Sequence, residues 1–281
     1  MKLARIGAAG CEVPVVQDGD GGWRSLRPVT EDIDGAFLSR GLADVRAALT
    51  DGRLGDVIEP GRFGPPVARP GKIVCIGLNY RDHAAETRAE IPAEPVVFLK
   101  TAQTMVGAQD TVLIPRRSTR TDWEVELAVV VGAEARYLDC PADSARCIAG
   151  YAISNDVSER EFQKDRGGTW DKGKNCDTFN PMGPWLVSAD AVPDPQALRL
   201  RLSVNGERRQ DGTTSDMIFA VDHLIWYVSQ FMVLEPGDVI NTGTPAGVAM
   251  GMPDRPYLRA GDVVELEIDG LGRQRQQIGQ A

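Results

Sequence analysis

The stretch from Thr121 to Val131 constrains the fold of this chain more than any other. Its second half is continuously apolar and rich in valine, which is typical of a strand buried on both faces of a sheet. In its first half, Glu124 and Glu126 alternate with apolar residues. Because successive side chains of a strand point to opposite faces, we expect both carboxylates on the same face. The stretch therefore predicts a central strand with two acidic groups side by side.

Two neighbouring carboxylates at the end of a buried strand need a positive partner, because burying like charges is unfavourable. A hard cation with oxygen ligands, such as Mg²⁺, Mn²⁺ or Ca²⁺, would provide one. A Glu-x-Glu pair is also common on solvated strand faces, so the pair alone does not define a metal site. A third carboxylate, Asp156, ends a second predicted strand, Tyr151–Asp156, where site residues concentrate. We therefore predict Glu124, Glu126 and Asp156 as metal ligands.

Length, charge and cysteine usage narrow the functional classes. The 281 residues are 42% hydrophobic, which suffices for one large core, or for a large and a small domain. The formal net charge is −9 and there is no basic run, so we expect neither nucleic acid nor a membrane surface as a partner. Five cysteines without CxxC spacing indicate reduced thiols. With no predicted signal peptide or membrane span, we expect a cytoplasmic protein.

The distribution of prolines and glycines suggests where the chain divides. Residues 1–58 predict a small α+β domain. Residues 59–71 contain four prolines and three glycines, which is typical of an extended linker, and residues 72–281 form the large domain. There, many short strands and few helices, without regular strand–helix alternation, argue against a doubly wound sheet. The predicted fold class is therefore α+β and strand-dominated, a mixed sheet curled into a roll or open barrel.

Only two histidines are present, at positions 83 and 223. A short predicted helix carries His83 and Glu86 three residues apart, on one face. This spacing suits a general base and the carboxylate that orients it, although ordinary surface pairs share it. His223 lies in a strongly apolar helical stretch and is interpreted as a packed, hydrogen-bonded residue. His83 is therefore the candidate base.

Several segments together resemble the fumarylacetoacetate hydrolase family. They occur in the family's order over roughly residues 72–250, and they are Ile76–Tyr80 with His83 and Glu86, Asp122–Leu127, Asn155–Ser158 with Arg160 and Gln163, Gly173–Lys174 with Asp177–Phe179, Pro181–Trp185, and Pro236–Ile240 through Thr242–Pro245. The leading residues also resemble the small N-terminal unit of bacterial members similar to 2,4-diketo-3-deoxy-L-fuconate hydrolase and of acylpyruvate hydrolases. After Lys174 stands Asn175-Cys176, where many members carry Ser-Phe.

The resemblance implies the family's β-roll with peripheral helices, and a homodimer. It implies that Glu124, Glu126 and Asp156 hold one Mg²⁺ or Mn²⁺, with Ca²⁺ as an occupant in crystals. It further implies that the His83–Glu86 dyad lies on a lid segment over the substrate. The residues that would face the substrate are Arg160, Gln163, Lys174 and Thr244, and those that would act in catalysis are His83, Glu86 and Lys174.

The implied function is metal-dependent cleavage of a C–C bond in a 2,4-diketo acid, of the acylpyruvate or diketo-deoxy sugar acid type, to a 2-keto acid and a carboxylic acid. His83 would activate water, and Lys174 with Gln163 would stabilise the tetrahedral intermediate. The same metal–enolate chemistry would also serve an oxaloacetate decarboxylase or a hydroxy-diene-dioate isomerase. A non-catalytic protein that binds keto acids or metal is a further alternative, but binding alone needs no base.

Overall fold

The computed structural model describes residues 1–281, and more of them lie in strands than in helices. The strands are β1 (Lys2–Ile6), β2 (Val13–Gln17), β3 (Trp23–Ser25), β4 (Ile73–Gly77), β5 (Val96–Lys100), β6 (Met105–Gly107), β7 (Val112–Ile114), β8 (Thr121–Asp122), β9 (Val125–Val131), β10 (Ile148–Asn155), β11 (Ser158–Glu159), β12 (Asn180–Ser188), β13 (Arg199–Val204), β14 (Glu207–Thr213), β15 (Val239–Asn241), β16 (Val263–Ile268) and β17 (Gly272–Gln280). The strand-dominated α+β class expected from the sequence is confirmed.

The helices are short and lie between the strands. The α-helices are α1 (Gly35–Leu38), α2 (Gly41–Asp51), α3 (Arg81–Thr87), α4 (Arg160–Lys164), α5 (Asp171–Lys174) and α6 (Val221–Ser229). Five 3₁₀ segments cover Ala102–Thr104, Pro141–Cys147, Ala189–Ala191, Thr214–Asp216 and Ala249–Gly251. None of the helices combines the length and the apolar character that a membrane crossing requires.

Two larger sheets and one small pair make up the strand structure. Ten strands form a mixed sheet in the order β3-β2-β1-β12-β10-β9-β15-β4-β5, with β6 beside β12. Five strands form a second sheet in the order β14-β13-β16-β17-β7, and β8 pairs with β11. Strand β15 runs parallel to β4 and antiparallel to β9. The main core lies between the two larger sheets, because strands of both contribute to it.

Strand β9 is central and buried on both faces. Leu127 and Val129 belong to the core between the sheets, together with Leu202 of β13. Ala128 and Val130 belong to a second core on the opposite face, which α1 and α2 cover. The continuous apolar run of this strand is therefore explained by burial on both sides.

The predicted single strand over Thr121–Val131 is interrupted, however. At the break, the Glu124 N–H donates to Asn155 Oδ1 at 3.1 Å, so a side chain replaces the usual backbone partner. The Glu124 carbonyl still accepts from the Asp156 N–H at 2.9 Å. The break lets β8 leave the large sheet and pair with β11, while Glu124 and Glu126 still line one cavity.

The N-terminal strands are continuous with the large sheet. Strand β1 pairs with β12, with Leu3 opposite Leu186, and β2 and β3 follow outward. The stretch 59–71 lies against this region, where Arg62 forms ion pairs with Glu12 and Asp110. The division of the chain into residues 1–58, 59–71 and 72–281 stays a prediction.

Candidate active site

Three acidic side chains converge at the ends of two neighbouring strands. One oxygen each of Glu124, Glu126 and Asp156 lies within 4.8 Å of the others, and all three residues are buried. The antiparallel register of β9 and β10 explains the convergence, since Ser154 lies opposite Glu126. Two residues after Ser154 and two before Glu126, Asp156 comes opposite Glu124, and a backbone hydrogen bond joins them.

Two of the three carboxylates are neutralised by buried cations. Lys174 Nζ donates to Glu124 Oε2 at 2.8 Å and to Asp156 Oδ2 at 2.6 Å. Arg160 Nη2 lies 2.6 Å from Glu124 Oε1, and Lys100 Nζ pairs with Asp156 Oδ1. Burial alone would raise the pKa of Glu124, but Lys174 and Arg160 outweigh it and hold that pKa below its ordinary value.

Glu126 lacks a cationic partner of its own. Its carboxylate accepts one hydrogen bond, from the Gly243 N–H at 2.7 Å. Burial, reinforced by repulsion from Asp156 and Glu124, raises the pKa of Glu126 well above its ordinary value. Glu126 is therefore a buried carboxylate whose negative charge is not compensated, and a bound cation would compensate it.

Charge and ligand type both suit a hard divalent cation. The buried cluster contains one more carboxylate than cations: Asp122, Glu124, Glu126 and Asp156 against Lys100, Arg160 and Lys174. Oxygen-only donors favour Mg²⁺, Mn²⁺ or Ca²⁺ over softer metals. The residues present therefore fit the predicted divalent ion.

The His83–Glu86 dyad is formed on α3. His83 Nδ1 lies 3.2 Å from Glu86 Oε2. The other oxygen, Glu86 Oε1, accepts from the Gly247 N–H at 2.9 Å, in the loop after β15. Glu86 therefore joins α3 to this loop. The hydrogen bond from Gly247 holds its carboxylate in place, and the carboxylate in turn orients the His83 imidazole. His83 is buried.

A cavity of about 710 Å³ brings the dyad and the acidic cluster together. All predicted site residues except Asp156 line it: His83, Glu86, Glu124, Glu126, Arg160, Gln163, Lys174 and Thr244. Asp156 is buried and contacts Lys100 and Lys174. The structure thus brings the predicted residues to one place, while their individual roles stay predictions.

Arg160 and Thr244 are held in place by hydrogen bonds to the surrounding strands and helices. Arg160 Nη1 donates to Gln163 Oε1 at 3.0 Å, one turn away on α4. Thr244 Oγ1 donates to the Val125 carbonyl at 2.9 Å and accepts from Gln210 Nε2 at 2.8 Å. The Arg160 guanidinium and the Thr244 hydroxyl thus present fixed polar groups to the cavity.

Two buried site residues are absent from the predicted set. Lys100 follows the apolar part of β5, a position at which lysine is usually exposed, so nothing local marks it as a partner of Asp156. Asp122 lies within a segment that carries the family resemblance, and it binds Arg160 Nε at 2.8 Å. Its buried carboxylate would have been found only by knowing the position of Arg160.

The remaining expectations concern residues outside the cavity. Asn175 Nδ2 donates to the Leu99 carbonyl at 3.0 Å, so this departure from the family pattern ties α5 to β5. His223 stacks on Phe219, with ring centroids 5.3 Å apart, on the partly exposed face of α6. Neither Asn175 nor His223 lines the cavity.

Known proteins similar to this chain include hydrolases and an isomerase. A protein of Burkholderia multivorans that is named a hydrolase by inference is 52% identical over 278 residues. The match covers 98% of each chain. The solved structure of maleylpyruvate hydrolase from Sphingobium sp. SYK-6, with manganese(II) and pyruvate, is 28% identical with a TM-score of 0.81 and full coverage of both chains. That of 2-hydroxyhepta-2,4-diene-1,7-dioate isomerase from Mycobacterium marinum is 31% identical, with a TM-score of 0.75, and covers 100% of this chain and 98% of the other.

The family itself follows from a model that covers most of the sequence. The model described as the C-terminal part of fumarylacetoacetate hydrolase matches residues 72–279. This range contains the three carboxylates, the dyad and every other residue of the predicted site. The chain belongs to the fumarylacetoacetate hydrolase family.

Proposed function

We propose that the protein is a metal-dependent hydrolase that cleaves a C–C bond of a 2,4-diketo acid and releases a 2-keto acid and a carboxylic acid. The observation that carries this proposal is the shared cavity, in which His83 and Glu86 line the same space as Glu124 and Glu126. The similarity to a maleylpyruvate hydrolase solved with manganese and pyruvate supports it.

The metal would be held by Glu124, Glu126 and Asp156. A bound Mg²⁺ or Mn²⁺ would supply a Lewis acid that polarises the 2-keto acid group of the substrate. In the structure, the Lys174 ammonium neutralises Glu124 and Asp156. A cation held by these carboxylates would compensate their charge, and Lys174 would then be available to donate hydrogen bonds to the substrate.

The chain's own residues provide the proton transfer and the electrostatic stabilisation. When the Nδ1–H of His83 donates a hydrogen bond to Glu86, the Nε2 atom is free to accept a proton from water. The resulting hydroxide adds to the 4-keto carbon, and Lys174 with Gln163 donates hydrogen bonds to the oxyanion. The bond between C3 and C4 then breaks, its electron pair forms the enolate of the 2-keto acid, and His83 returns the proton it took from water to C3.

The variant His83→Ala tests this mechanism. We expect it to bind Mn²⁺ like the unmodified protein but to lose at least about 10²-fold in kcat, the usual contribution of a general base. Acylpyruvate hydrolysis is followed by pyruvate release, and Mn²⁺ binding by calorimetry. His223→Ala is the matched control because His223 lies outside the cavity, and it should retain full activity. Full turnover by His83→Ala would remove the dyad from the mechanism.

Isomerisation of a hydroxy-diene-dioate is the second candidate, favoured by the similarity to a solved isomerase of that class. Like oxaloacetate decarboxylation, it needs no attacking water, so the dyad would matter less. A screen of acylpyruvates, diketo sugar acids, oxaloacetate and hydroxy-diene-dioates with Mg²⁺ separates these activities. Pyruvate from oxaloacetate alone would indicate a decarboxylase, and absorbance changes without pyruvate an isomerase. No reaction with any compound would favour a protein that only binds keto acids.

We also propose that the protein forms a homodimer, as the family resemblance implies. Sedimentation velocity measures this directly. A single species with the mass of one chain over the whole concentration range would contradict the proposal.

A further inference from the structure

The segment that follows β15, residues 242–247, contacts two distant parts of the candidate active site. The Gly243 N–H donates to Glu126 Oε2 at 2.7 Å, and the Gly247 N–H donates to Glu86 Oε1 at 2.9 Å. The segment has no regular secondary structure of its own. A proposed metal ligand and the carboxylate of the dyad therefore both depend on where this short segment lies.

One glutamine connects the segment to the strand of the acidic cluster. Val125 lies between the two glutamates of that cluster, and its carbonyl accepts from Thr244 Oγ1 at 2.9 Å. The Val125 N–H donates to Gln210 Oε1 at 3.0 Å. Gln210 Nε2 in turn donates to Thr244 Oγ1 at 2.8 Å. The three residues therefore form a closed ring of hydrogen bonds.

The amide group of Gln210 is fully used. Besides its bond to Thr244, Nε2 donates to the Pro245 carbonyl at 2.8 Å. The side chain thus accepts one hydrogen bond and donates two, and all three bonds are buried. Only a primary amide offers an acceptor and two donors at one end of a side chain. No other side chain of this length can therefore make the same contacts.

The backbone of β14, which carries Gln210, lies directly against the same segment. A Cβ at Gly247 would overlap the Arg209 carbonyl oxygen, and a Cβ at Gly212 would come within 2.5 Å of Pro245 Cβ. Glycine at both positions permits this close approach. Since Gln210 lies between Arg209 and Gly212 in the chain, its side chain leaves β14 at the middle of this contact.

We propose that Gln210 is a positioning residue of the active site. It does not line the cavity, so it acts by holding residues 242–247 on the strand of the acidic cluster. It thereby sets the positions of Glu126, Thr244 and Glu86 relative to one another. This inference rests on the function proposed above for the roles of these three residues. Residues that support metal ligands without touching the metal commonly contribute about 10- to 100-fold to metal affinity or activity.

The variant Gln210→Met tests this inference, because methionine is similar in length but cannot donate a hydrogen bond and accepts one only weakly. We expect Mn²⁺ affinity, measured by calorimetry, and kcat for acylpyruvate hydrolysis each to fall by about tenfold or more. Gln196→Met is the matched control. Gln196 accepts from the Val221 N–H at 2.9 Å and donates to the Thr214 carbonyl at 3.0 Å, and it does not line the cavity. It should lose stability but keep Mn²⁺ affinity and kcat.

A second variant, Gly212→Ala, displaces the segment while leaving the Gln210 side chain unchanged. The added methyl group would meet the ring of Pro245, so β14 and the segment would have to separate. We expect the same two losses, and this variant decides the question if Gln210→Met does not fold. Its control is Gly61→Ala, whose added methyl group would have its nearest neighbour at 4.0 Å and should change neither quantity.

The Mn²⁺ measurement separates this inference from the proposed hydrolysis. If no acylpyruvate is cleaved even by the unmodified protein, the hydrolase function fails, and a loss of Mn²⁺ affinity in Gln210→Met that Gln196→Met lacks would still support the role of Gln210. Unchanged Mn²⁺ affinity and kcat in folded Gln210→Met, or in Gly212→Ala in its place, would overturn the inference and leave the hydrolase function intact. An unmodified protein that neither binds Mn²⁺ nor cleaves an acylpyruvate would overturn both.

Discussion

Lys100 holds one oxygen of Asp156, while Lys174, which lines the cavity, contacts the other. Its ammonium pairs with Asp156 Oδ1 and also donates to the carbonyls of Val157 at 3.1 Å and Phe179 at 2.6 Å. All three ammonium protons are therefore used, and both side chains are buried. Asp156 is left with one oxygen, Oδ2, that faces Lys174. Lys100 thus positions Asp156 to offer a single oxygen to a cation.

Replacing Lys100 by methionine should destabilise the metal-free protein more than the metal-loaded protein. Removing one partner of a buried ion pair leaves an uncompensated charge and costs roughly 3–5 kcal/mol of unfolding free energy. A divalent cation would restore the missing positive charge, so Mn²⁺ should raise the melting temperature of Lys100→Met more than that of the unmodified protein. Thermal unfolding with and without Mn²⁺ measures both effects.

Lys72→Met provides the matched control for this prediction. Lys72 pairs with the buried Asp238 at 2.5 Å, and neither residue lines the cavity. This variant should lose stability equally with and without Mn²⁺. An identical response of the two variants to Mn²⁺ would show that Lys100 has no special relation to the metal site.

Gly251→Ala should impair the dyad without touching the metal ligands. A Cβ at position 251 would come within 2.4 Å of Glu86 Cδ, so the carboxylate would have to leave the position in which it contacts His83. A displacement of about 1 Å in a catalytic group can cost about 10²-fold in rate. We expect a loss of this order in kcat with unchanged Mn²⁺ affinity.

The control for this change is Gly19→Ala, where an added methyl group meets nothing within 4 Å. Its kcat should equal that of the unmodified protein. Normal hydrolysis by Gly251→Ala would mean that Glu86 does not need the position seen in the structure.

Asp122→Asn should weaken substrate binding through Arg160. The buried carboxylate accepts from Arg160 Nε at 2.8 Å and from the N–H groups of Trp123, Ala249 and Met250. An amide group cannot accept from all four donors, so at least one is left unsatisfied, at a cost of about 1–3 kcal/mol. We expect lower stability and a higher KM for the keto acid, measured by denaturation and steady-state kinetics.

A surface aspartate gives the comparison for this substitution. The Asp222 carboxylate is exposed and accepts from the neighbouring His223 N–H, so Asp222→Asn should leave KM unchanged. If Asp122→Asn has the stability and KM of the unmodified protein, the anchoring of Arg160 is irrelevant to binding.

The pH dependence of stability should report the Arg62–Asp110 ion pair. Burial alone would raise the pKa of Asp110, but Arg62 and the Gly107 N–H outweigh it and lower that pKa. A carboxyl whose pKa is lower in the folded than in the unfolded state stabilises the protein above the unfolded pKa, about 3.9 for aspartate, and loses this contribution as the pH falls through the folded pKa.

Asp110→Asn should therefore be less stable than the unmodified protein at neutral pH, and the difference should shrink below about pH 4. Urea unfolding at several pH values measures it. Asp51→Asn, which breaks an exposed pair with Arg53, should show no such trend. A difference for Asp110→Asn that is constant with pH would contradict the pKa direction.

The parts of the site that could be predicted from the sequence depend on local patterns. Glu124 and Glu126 follow from the period of two in a strand, and Asp156 from its place at the end of the next strand. The antiparallel register of β9 and β10 then brings them together. His83 and Glu86 follow in the same way from the spacing of three on a helix.

The features that could not be predicted depend on contacts between distant residues. The break between β8 and β9 requires the side chain of Asn155, 31 residues from Glu124. The role of Lys100 requires the Phe179 carbonyl, 79 residues away. No periodicity within a segment records such partners, so the convergence of Glu124, Glu126 and Asp156 could be predicted from the sequence and the residues that support them could not.

The pairing of β1 with β12 has a consequence for any shortened form of the protein. Without its first strand, the second half of β12, around Leu186 and Val187, would lose its backbone partners on one edge and keep only those on β10. Open sheet edges bind other strands and promote aggregation. A chain that starts at residue 72 would therefore be prone to self-association. By pairing with β12, β1 keeps this edge of the largest sheet from binding other strands.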